Sequence, residues 1–172
     1  VKADGILEAK TDLTILSETT GKVVAVHKEK GATVDKGELL AQVENEIIQT
    51  EVSAAKTNLE KLETDLERFT KLSEENAVTK RQLEDVKIGL KNAEAQYRSA
   101  KKRLENTYIR ATAAGKINDD FLQEGEFINQ GQRLYEIVDA STLKLKVKLT
   151  ASEVLALKEG DSVKISTQVF PQ

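Results

Sequence analysis

One short pattern of glycines and apolar residues occurs twice in the chain. The copies occupy residues 21–43 and 115–137, and each shared position recurs 94 residues later. Chance rarely reproduces so many matched positions, so the pattern predicts two halves of one small β-domain. The shared positions are three glycines and four apolar residues: Gly21, Gly31, Gly37, Val23, Val34, Leu40 and Val43, then Gly115, Gly125, Gly131, Ile117, Ile128, Leu134 and Ile137.

Within each copy the apolar runs are short and the glycines fall between them. Gly31 and Gly37 are expected at turn positions with positive φ, where a residue without a Cβ is favoured. Strands this short bury little surface alone. We therefore expect the two copies to pair with each other.

Between the copies the hydrophobic period changes to a heptad, with apolar residues alternately four and three positions apart. Two such stripes, interrupted at 73–79, predict an antiparallel helical hairpin whose arms of about 27 residues reach roughly 40 Å. The stripes are Ile48, Val52, Ala55, Leu59, Leu62, Leu66 and Phe69, then Leu83, Val86, Leu90, Ala93, Tyr97, Ala100 and Leu104.

The second helix has a strong start signal. Thr79 followed three residues later by Gln82 predicts a capping box, and Val78 with Leu83 predicts the accompanying hydrophobic staple. A cap of this kind contributes about 1 kcal/mol. The turn is therefore specified locally.

A third pattern begins after the second copy. Leucine and valine alternate with lysine over residues 143–149, as in a strand with one buried face. Ser152 is expected to cap a short helix ending at Leu157, and Val163 to Ile165 is expected to start another strand. These features predict the beginning of a further β-domain, a barrel or a sandwich, which needs more strands than these.

Together the patterns predict an α+β multidomain chain: a β-sandwich of two half-motifs, an inserted coiled-coil hairpin and part of a further β-domain. The expected divisions are 1–16 (N-terminal strands), 17–46 (first half), 47–108 (hairpin, tip 73–79), 109–138 (second half) and 139–172 (incomplete β-domain).

Composition removes several function classes. The net charge of −3 gives no sign of the basic surface that nucleic-acid-binding proteins carry. The absence of cysteine excludes disulfides and thiolate metal sites. His27 is the only histidine, so no catalytic or metal-binding group of residues is visible. We expect no enzyme and no cofactor.

This order of elements resembles the periplasmic adaptor, or membrane fusion, family of tripartite efflux systems (HlyD-like and AcrA-like proteins). The resemblance is carried by residues 21–43, 109–138 and 143–165. It implies half a lipoyl-like domain, a helical hairpin, the other half and a β-barrel domain, of which residues 139–172 are the incomplete start. One departure is Ala113-Ala114 before Gly115, where the family usually has Ala-Pro.

The resemblance also implies a partner site at the hairpin tip. The family places an Arg, a Leu four residues on and a Ser seven further on against an outer-membrane duct. The corresponding residues here are Arg68, Leu72 and Thr79. Each has an ordinary structural alternative: Arg68 as a solvated charge, Leu72 as a cover for the last helical turn, and Thr79 as an N-cap.

By this resemblance the chain is a periplasmic adaptor that bridges an inner-membrane transporter to a TolC-like duct and assembles into a ring, a hexamer in the family. The expected anchor is an N-terminal lipid or helix outside this stretch. The short arms favour a transporter of the resistance-nodulation-division (RND) type. The alternative is an ATP-driven (ABC) exporter or type I secretion system.

Two other classes stay open. One is a biotinyl or lipoyl carrier domain, which needs a lysine on the hairpin joining its halves. The joining residues here are Glu44, Asn45, Glu46 and Ile47, without a lysine. The other is an envelope scaffold unrelated to transport.

Overall fold

The computed structural model describes residues 5–149 and Gly160. The predicted helix at 152–157 and strand at 163–165 lie outside these residues. The described elements, in chain order, are β1 (Gly5–Leu16), β2 (Gly21–Val26), β3 (Thr33–Val34), β4 (Leu39–Val43), α1 (Glu46–Glu74), α2 (Lys80–Asn106), β5 (Tyr108–Arg110), β6 (Gly115–Asp120), β7 (Phe127–Ile128) and β8 (Arg133–Val147).

Backbone contacts divide the chain into two compact units. The larger unit comprises residues 11–139 and contains both glycine-rich copies and both helices. The smaller unit comprises residues 1–10 and 140–172, and its described residues lie mainly in the first half of β1 and the second half of β8. Of the alternating residues predicted as a strand, Leu143 to Val147 belong to β8, whereas Lys148 and Leu149 follow its end.

The glycine-rich copies exchange strands. One sheet has the order β1-β8-β6-β3 and the other the order β5-β4-β2-β7. The short strand β3 of the first copy therefore pairs with β6 of the second, with Val34 opposite Gly115. In return, β7 of the second copy pairs with β2 of the first, with Gly21 opposite Ile128. Neither sheet is complete without a strand from the other copy.

The exchanged strands are held by matching hydrogen bonds. The Ile117 amide donates to the Ala32 carbonyl at 2.9 Å, and the Val23 amide donates to the Glu126 carbonyl at 2.8 Å. These two bonds are related by the same shift of 94 residues that relates the copies. The sequence repeat is therefore a structural pseudo-symmetry.

The core lies between the two sheets and is built from the repeated apolar positions. All eight of them are at most 1% exposed: Val23, Val34, Leu40, Val43, Ile117, Ile128, Leu134 and Ile137. Strands β2 and β6 have the same alternation of buried and exposed residues. Burying such side chains contributes about 1.5–3 kcal/mol each, so the core depends on both copies.

The repeat extends further towards the N-terminus than the predicted start of the first half at residue 17. Ile15 in β1 and Ile109 in β5 are both buried and stand 94 residues apart. The Ser17 amide donates to the Gln132 carbonyl at 2.8 Å, and the Ala111 amide donates to the Glu38 carbonyl at 2.9 Å. The glycine pattern starts at Gly21, so it does not mark this outer strand.

The turns have the predicted backbone. Gly31 and Gly37 have φ of 89° and 87°, in the left-handed region. A Cβ added at either position would meet no atom within 4 Å, so the requirement for glycine comes from the backbone itself. The expectation of positive φ at both residues is confirmed.

Helices α1 and α2 have 29 and 27 residues, or roughly 40 Å each at 1.5 Å per residue. They run antiparallel, since Arg103 donates to Glu51 at 2.8 Å near the base and Gly89 lies against Leu62 further out. All fourteen residues of the two apolar stripes are half-buried or buried, whereas most other positions are exposed. The stripes therefore form the seam between the helices.

At the base of the hairpin, a buried polar pair joins the segment that enters α1 to the segment that leaves α2. Asn45, before α1, donates from its side-chain amide to the Thr107 hydroxyl at 3.1 Å, and Thr107 follows α2. Gln49 donates to the Asn45 side-chain oxygen at 2.8 Å, and the Thr107 hydroxyl donates to the Leu104 carbonyl at 2.7 Å. Every side-chain nitrogen and oxygen of the pair therefore has a hydrogen-bond partner within the fold.

Tyr135 is the largest fully buried side chain of the sandwich. Its hydroxyl lies 3.0 Å from the Lys28 carbonyl oxygen and 3.2 Å from that of Leu40, and its proton is shared between them. Burial, and then the negative charges of Asp120 and Glu29, raise the pKa of Tyr135 above its ordinary value.

We predict that Tyr135→Phe lowers the free energy of unfolding by about 1–2 kcal/mol at neutral pH, because the part-buried Lys28 carbonyl loses the hydroxyl as a donor, whereas the Leu40 carbonyl keeps the amides of His27 and Lys28. The raised pKa keeps the native phenol protonated while the unfolded one ionises near pH 10, so its stabilisation is complete below about pH 10. Above that pH the deficit should shrink by up to about 1.4 kcal/mol per pH unit. Urea denaturation of both proteins from pH 7 to 11 measures the difference in their free energies of unfolding. A difference that stays constant with pH would contradict the raised pKa of Tyr135.

Candidate partner-binding site at the hairpin tip

The end of α1 is closed by its own backbone. The Ala77 amide donates to the Leu72 carbonyl at 2.8 Å, and the Asn76 amide donates to the Ser73 carbonyl at 3.1 Å. Asn76 has φ of 57°, in the left-handed region. This combination is a Schellman motif, with asparagine in the position that glycine usually takes. It reverses the chain immediately after α1.

The start of α2 is closed by side chains. The Gln82 amide donates to the Thr79 hydroxyl at 3.2 Å, and the Thr79 amide donates to the Gln82 side-chain oxygen at 2.8 Å. Both bonds of the predicted capping box are present, so that prediction is confirmed. With both helix ends satisfied locally, the tip needs no partner to keep its shape.

Arg68 lies on the side of α1 near its end. Its guanidinium donates to Asp65 at 2.7 Å and stands 5.7 Å from the ring centre of Phe69. The side chain is nevertheless 64% exposed, so an ion pair of this kind contributes little to stability. The guanidinium keeps free donors for an acceptor on a partner.

Leu72 lies one turn beyond Arg68 on the same side of the helix, since residues four apart are neighbours on a helical surface. It is half-buried. It is three residues from the seam residue Phe69 and therefore a neighbour of the seam on the helix surface. Both interpretations of Leu72, as a cover for the last turn and as an apolar contact, are compatible with this placement.

The three predicted residues occupy two places at the tip. Arg68 and Leu72 share one side of α1, whereas Thr79 stands at the start of α2 with its hydroxyl engaged in the cap. Within the part of the chain that the structure describes, no hydrogen bond or ion pair joins any two of them. The candidate site is therefore a surface with one basic, one apolar and one polar side chain.

Charged side chains surround this surface. Lys71 donates to Glu67 at 2.8 Å; this hydrogen bond, and then the lysine charge, lowers the pKa of Glu67. The same hydrogen bond, and then the charge of Glu67, raises the pKa of Lys71. A groove of about 500 Å³ runs beside the pair, with Leu66 and Leu90 among its lining residues. The tip therefore has an exposed ion pair beside a groove with two leucines among its lining residues.

Sequence reasoning missed two features of the hairpin. The left-handed turn at Asn76 could have been predicted from the sequence, because the left-handed residue that ends a helix is usually glycine and sometimes asparagine. The Asn45–Thr107 pair had no sequence signal, since its members stand 62 residues apart.

No group of His, Asp or Glu residues in the described ranges is arranged to hold a metal ion. Neither of the two described helices is apolar enough over a sufficient length to cross a membrane.

We predict that Thr79→Ala lowers the free energy of unfolding by about 1 kcal/mol, because the Gln82 amide loses its acceptor. Thr79→Ser keeps the hydroxyl and should stay within a few tenths of a kcal/mol. Urea denaturation followed by circular dichroism compares the three proteins. Equal losses for alanine and serine would show that the hydroxyl does not act as the cap.

We predict that Asn76→Val costs about 1–2 kcal/mol, because a β-branched residue is strained at positive φ. Asn76→Gly relieves the same strain and should be at least as stable as the parent chain. Thermal denaturation measures both. A valine variant as stable as the glycine variant would rule out the left-handed turn.

Comparison with known proteins identifies a family and several relatives that this chain resembles. Residues 12–139 match the family described as CzcB-like, barrel-sandwich hybrid domain. The multidrug resistance protein MdtA of Photorhabdus laumondii is 25% identical over 163 residues, which are 87% of this chain and 41% of that protein. The antibiotic efflux pump periplasmic linker protein ArpA of Pseudomonas putida is 28% identical over 131 residues, 75% of this chain and 35% of ArpA.

Solved structures show the same fold. A MacA–MexA chimeric protein that contains the α-hairpin domain of Pseudomonas aeruginosa MexA has a TM-score of 0.80 at 22% identity, covering 89% of this chain and 55% of the chimera. The chain spans less than half the length of the curated relatives named above. The resemblance seen in the sequence is confirmed: the chain belongs to the CzcB-like barrel-sandwich hybrid family of efflux adaptor, or membrane fusion, proteins.

Proposed function

We propose that this chain is the periplasmic adaptor part of a tripartite efflux pump, bridging an inner-membrane transporter to a TolC-like outer-membrane duct. The observation that carries the proposal is a hairpin of roughly 40 Å with a fixed tip, rooted in an interlocked β-sandwich. Such a hairpin provides reach, and its polar outer surface needs no further covering. Family membership supplies the efflux context.

The tip surface is the proposed contact with the duct. Arg68 offers free guanidinium donors, and Leu72 offers a partly exposed apolar surface one turn away. Thr79 presents its polar side at the start of α2 while it caps that helix. Each contact is small, but a ring presents several tips at once, which raises the overall avidity.

We propose that the two sheets are lipoyl-like halves used without a cofactor. In a carrier domain the joining segment must present a lysine, whereas here it contains Asn45, which is 7% exposed and bonded to Thr107. The segment acts as the root of the hairpin. A non-catalytic adaptor accounts for this use of the fold better than a swinging-arm carrier.

We further propose a periplasmic location, with the membrane anchor outside residues 1–172, and a transporter of the RND type. The relative ArpA is a periplasmic linker protein of an antibiotic efflux pump, which supports the location. The length of the hairpin arms favours the RND type over an ATP-driven exporter. A ring of copies, a hexamer as in the family, is the proposed assembly.

We predict that Leu72→Asp lowers capture of the purified TolC-like duct at least about tenfold, because a buried leucine is worth about 1.5–3 kcal/mol and tenfold in affinity is about 1.4 kcal/mol. Leu72→Met keeps an apolar side chain of similar volume and should retain capture. The measurement is pull-down of the duct by the immobilised adaptor. Unchanged capture by Leu72→Asp, with an unchanged circular dichroism spectrum, would remove the tip from the contact.

A further inference from the structure

Gly89 stands inside helix α2 at a place where the fold does not require a glycine. It is the only glycine in α1 and α2, and its φ is not in the positive range. A Cβ added there would meet only the Leu62 side chain, at 3.7 and 4.0 Å, which is ordinary van der Waals contact. Each of the other eight glycines either has a positive φ or would bring a Cβ closer than 3.0 Å to another atom. Gly89 is the exception.

A glycine inside a helix weakens the helix at that point. It has no side chain, so its backbone loses more conformational freedom on folding than that of alanine. Replacement by alanine would therefore strengthen α2 at no steric cost. The weak point is nine residues, or roughly 14 Å, from the end of α2 that lies at the hairpin tip.

The helices pack more closely on the base side of Gly89 than on its tip side. Ala93 and Ala100 are 2% exposed, and both lie between Gly89 and the base. Among the described residues, one ion pair joins the two helices, Glu51 with Arg103, and it lies on the base side as well. On the tip side no seam residue is more than half-buried. The seam is therefore weaker beyond Gly89.

Helix α1 does not oppose a bend at this level. Thr50, Thr57 and Thr64 are exposed at heptad intervals, and each hydroxyl donates to the carbonyl four residues earlier at 3.0–3.1 Å. Threonines bonded in this way slightly destabilise a helix and often bend it. Thr64 is two residues from Leu62, which lies against Gly89. Both helices therefore have a weak element at the same height.

The base of the hairpin has no comparable joint. Two residues, Glu44 and Asn45, separate β4 from α1, and Thr107 alone separates α2 from β5. The Glu44 amide donates to the Lys22 carbonyl and the Val43 amide donates to the Thr107 carbonyl, both at 2.8 Å. The side-chain bond between Asn45 and Thr107 is buried. These segments are short, bonded and free of glycine, so they leave little room for rotation.

We propose that the hairpin bends at Gly89 and not at its base, where Asn45 and Thr107 fix its direction. The part beyond Gly89 then tilts about the mean position that the base defines. A tilt of about 20° there moves the tip by roughly 5 Å, about one helical turn. This compliance lets the tip adjust to a partner surface while the sandwich and the inner part of the hairpin stay in place.

The chain has no cysteine, so spin labels attach only to introduced cysteines. Double electron–electron resonance gives the distribution of distances from Lys36→Cys in the sandwich to Gln96→Cys on the base side of Gly89, or to Glu75→Cys at the tip; all three residues are exposed. The Glu75 distribution should be the broader one. Gly89→Ala should narrow it at least about 1.5-fold, because alanine lowers the population of bent backbone about fivefold. The Gln96 distribution should not change.

The matched control is Ser99→Ala, a second change of a small residue to alanine in α2, at an exposed position on the base side. It should leave both distributions unchanged. Three results would overturn the proposal: a Glu75 distribution that Gly89→Ala does not narrow, equal narrowing by the control, or a Gln96 distribution as broad as that of Glu75. The last result would place the hinge at the base.

A second set of variants tests the base. Thr107→Val removes the hydroxyl that joins Asn45 to the Leu104 carbonyl while it keeps the shape of the side chain, so both distributions should broaden. Asn45→Ala removes the donor from the other side and should have the same effect, whereas Thr107→Ser should match the parent. Circular dichroism shows that each variant is folded. Unchanged distributions in the folded valine and alanine variants would contradict the assignment of the pair.

Hydrogen exchange locates the weak point without labels. The amides of residues 90–93 bond to the carbonyls of residues 86–89, so they report opening at Gly89. They should exchange faster than the amides of residues 97–100, and Gly89→Ala should slow them about fivefold. Equal protection of the two turns in the parent chain would contradict a joint at Gly89.

These experiments use the adaptor alone and do not depend on the proposed function. A hairpin that bends at Gly89 but does not capture the duct would contradict the proposed bridging and leave the bend standing. A hairpin that captures the duct without bending would do the reverse.

Discussion

The exchange of β3 and β7 between the two glycine-rich copies is the contact on which the rest of the molecule depends. Each copy supplies the strand that completes the other's sheet, and the eight repeated apolar side chains meet between the sheets. Half of this core alone would expose most of its apolar surface, so neither copy is expected to be stable without the other. The helical insertion can then leave and re-enter the domain without disrupting it, because the copies it separates are joined on both sides.

The hairpin takes its stability from two ends that are fixed in different ways. At the base, Asn45 and Thr107 tie the outgoing and returning chain together inside the sandwich. At the tip, the Schellman motif at Asn76 and the capping box at Thr79 satisfy the helix ends within seven residues of each other. Between these ends a narrow apolar seam joins the helices and leaves the other faces charged. A rod of this construction holds its tip in a defined place, as a contact with a distant partner requires.

Much of this fold could be predicted from the amino-acid order, because its main features are local or repeated. The glycine spacing indicated paired halves, the heptad indicated the hairpin seam, and Thr79 with Gln82 indicated the start of α2. The strand exchange itself had no sequence signal, since Val34 and Gly115 are brought together only by the tertiary fold. Tyr135 was also missed, because its counterpart 94 residues earlier is Ala41 and the repeat therefore gave no sign of a large buried ring. At the tip, the sequence marked Arg68 and Leu72 by resemblance to a family, and exposure of a side chain does not identify what binds it.

Hydrogen exchange of the Val23 and Ile117 amides tests the interlocked sandwich most directly, because each amide bonds to the carbonyl of the residue immediately before the exchanged strand of the other copy. If the copies form one cooperative body, both amides should exchange only through global unfolding, with equal opening free energies that match the value from denaturation. A clear difference between them, with one copy opening while the other stays protected, would contradict the account.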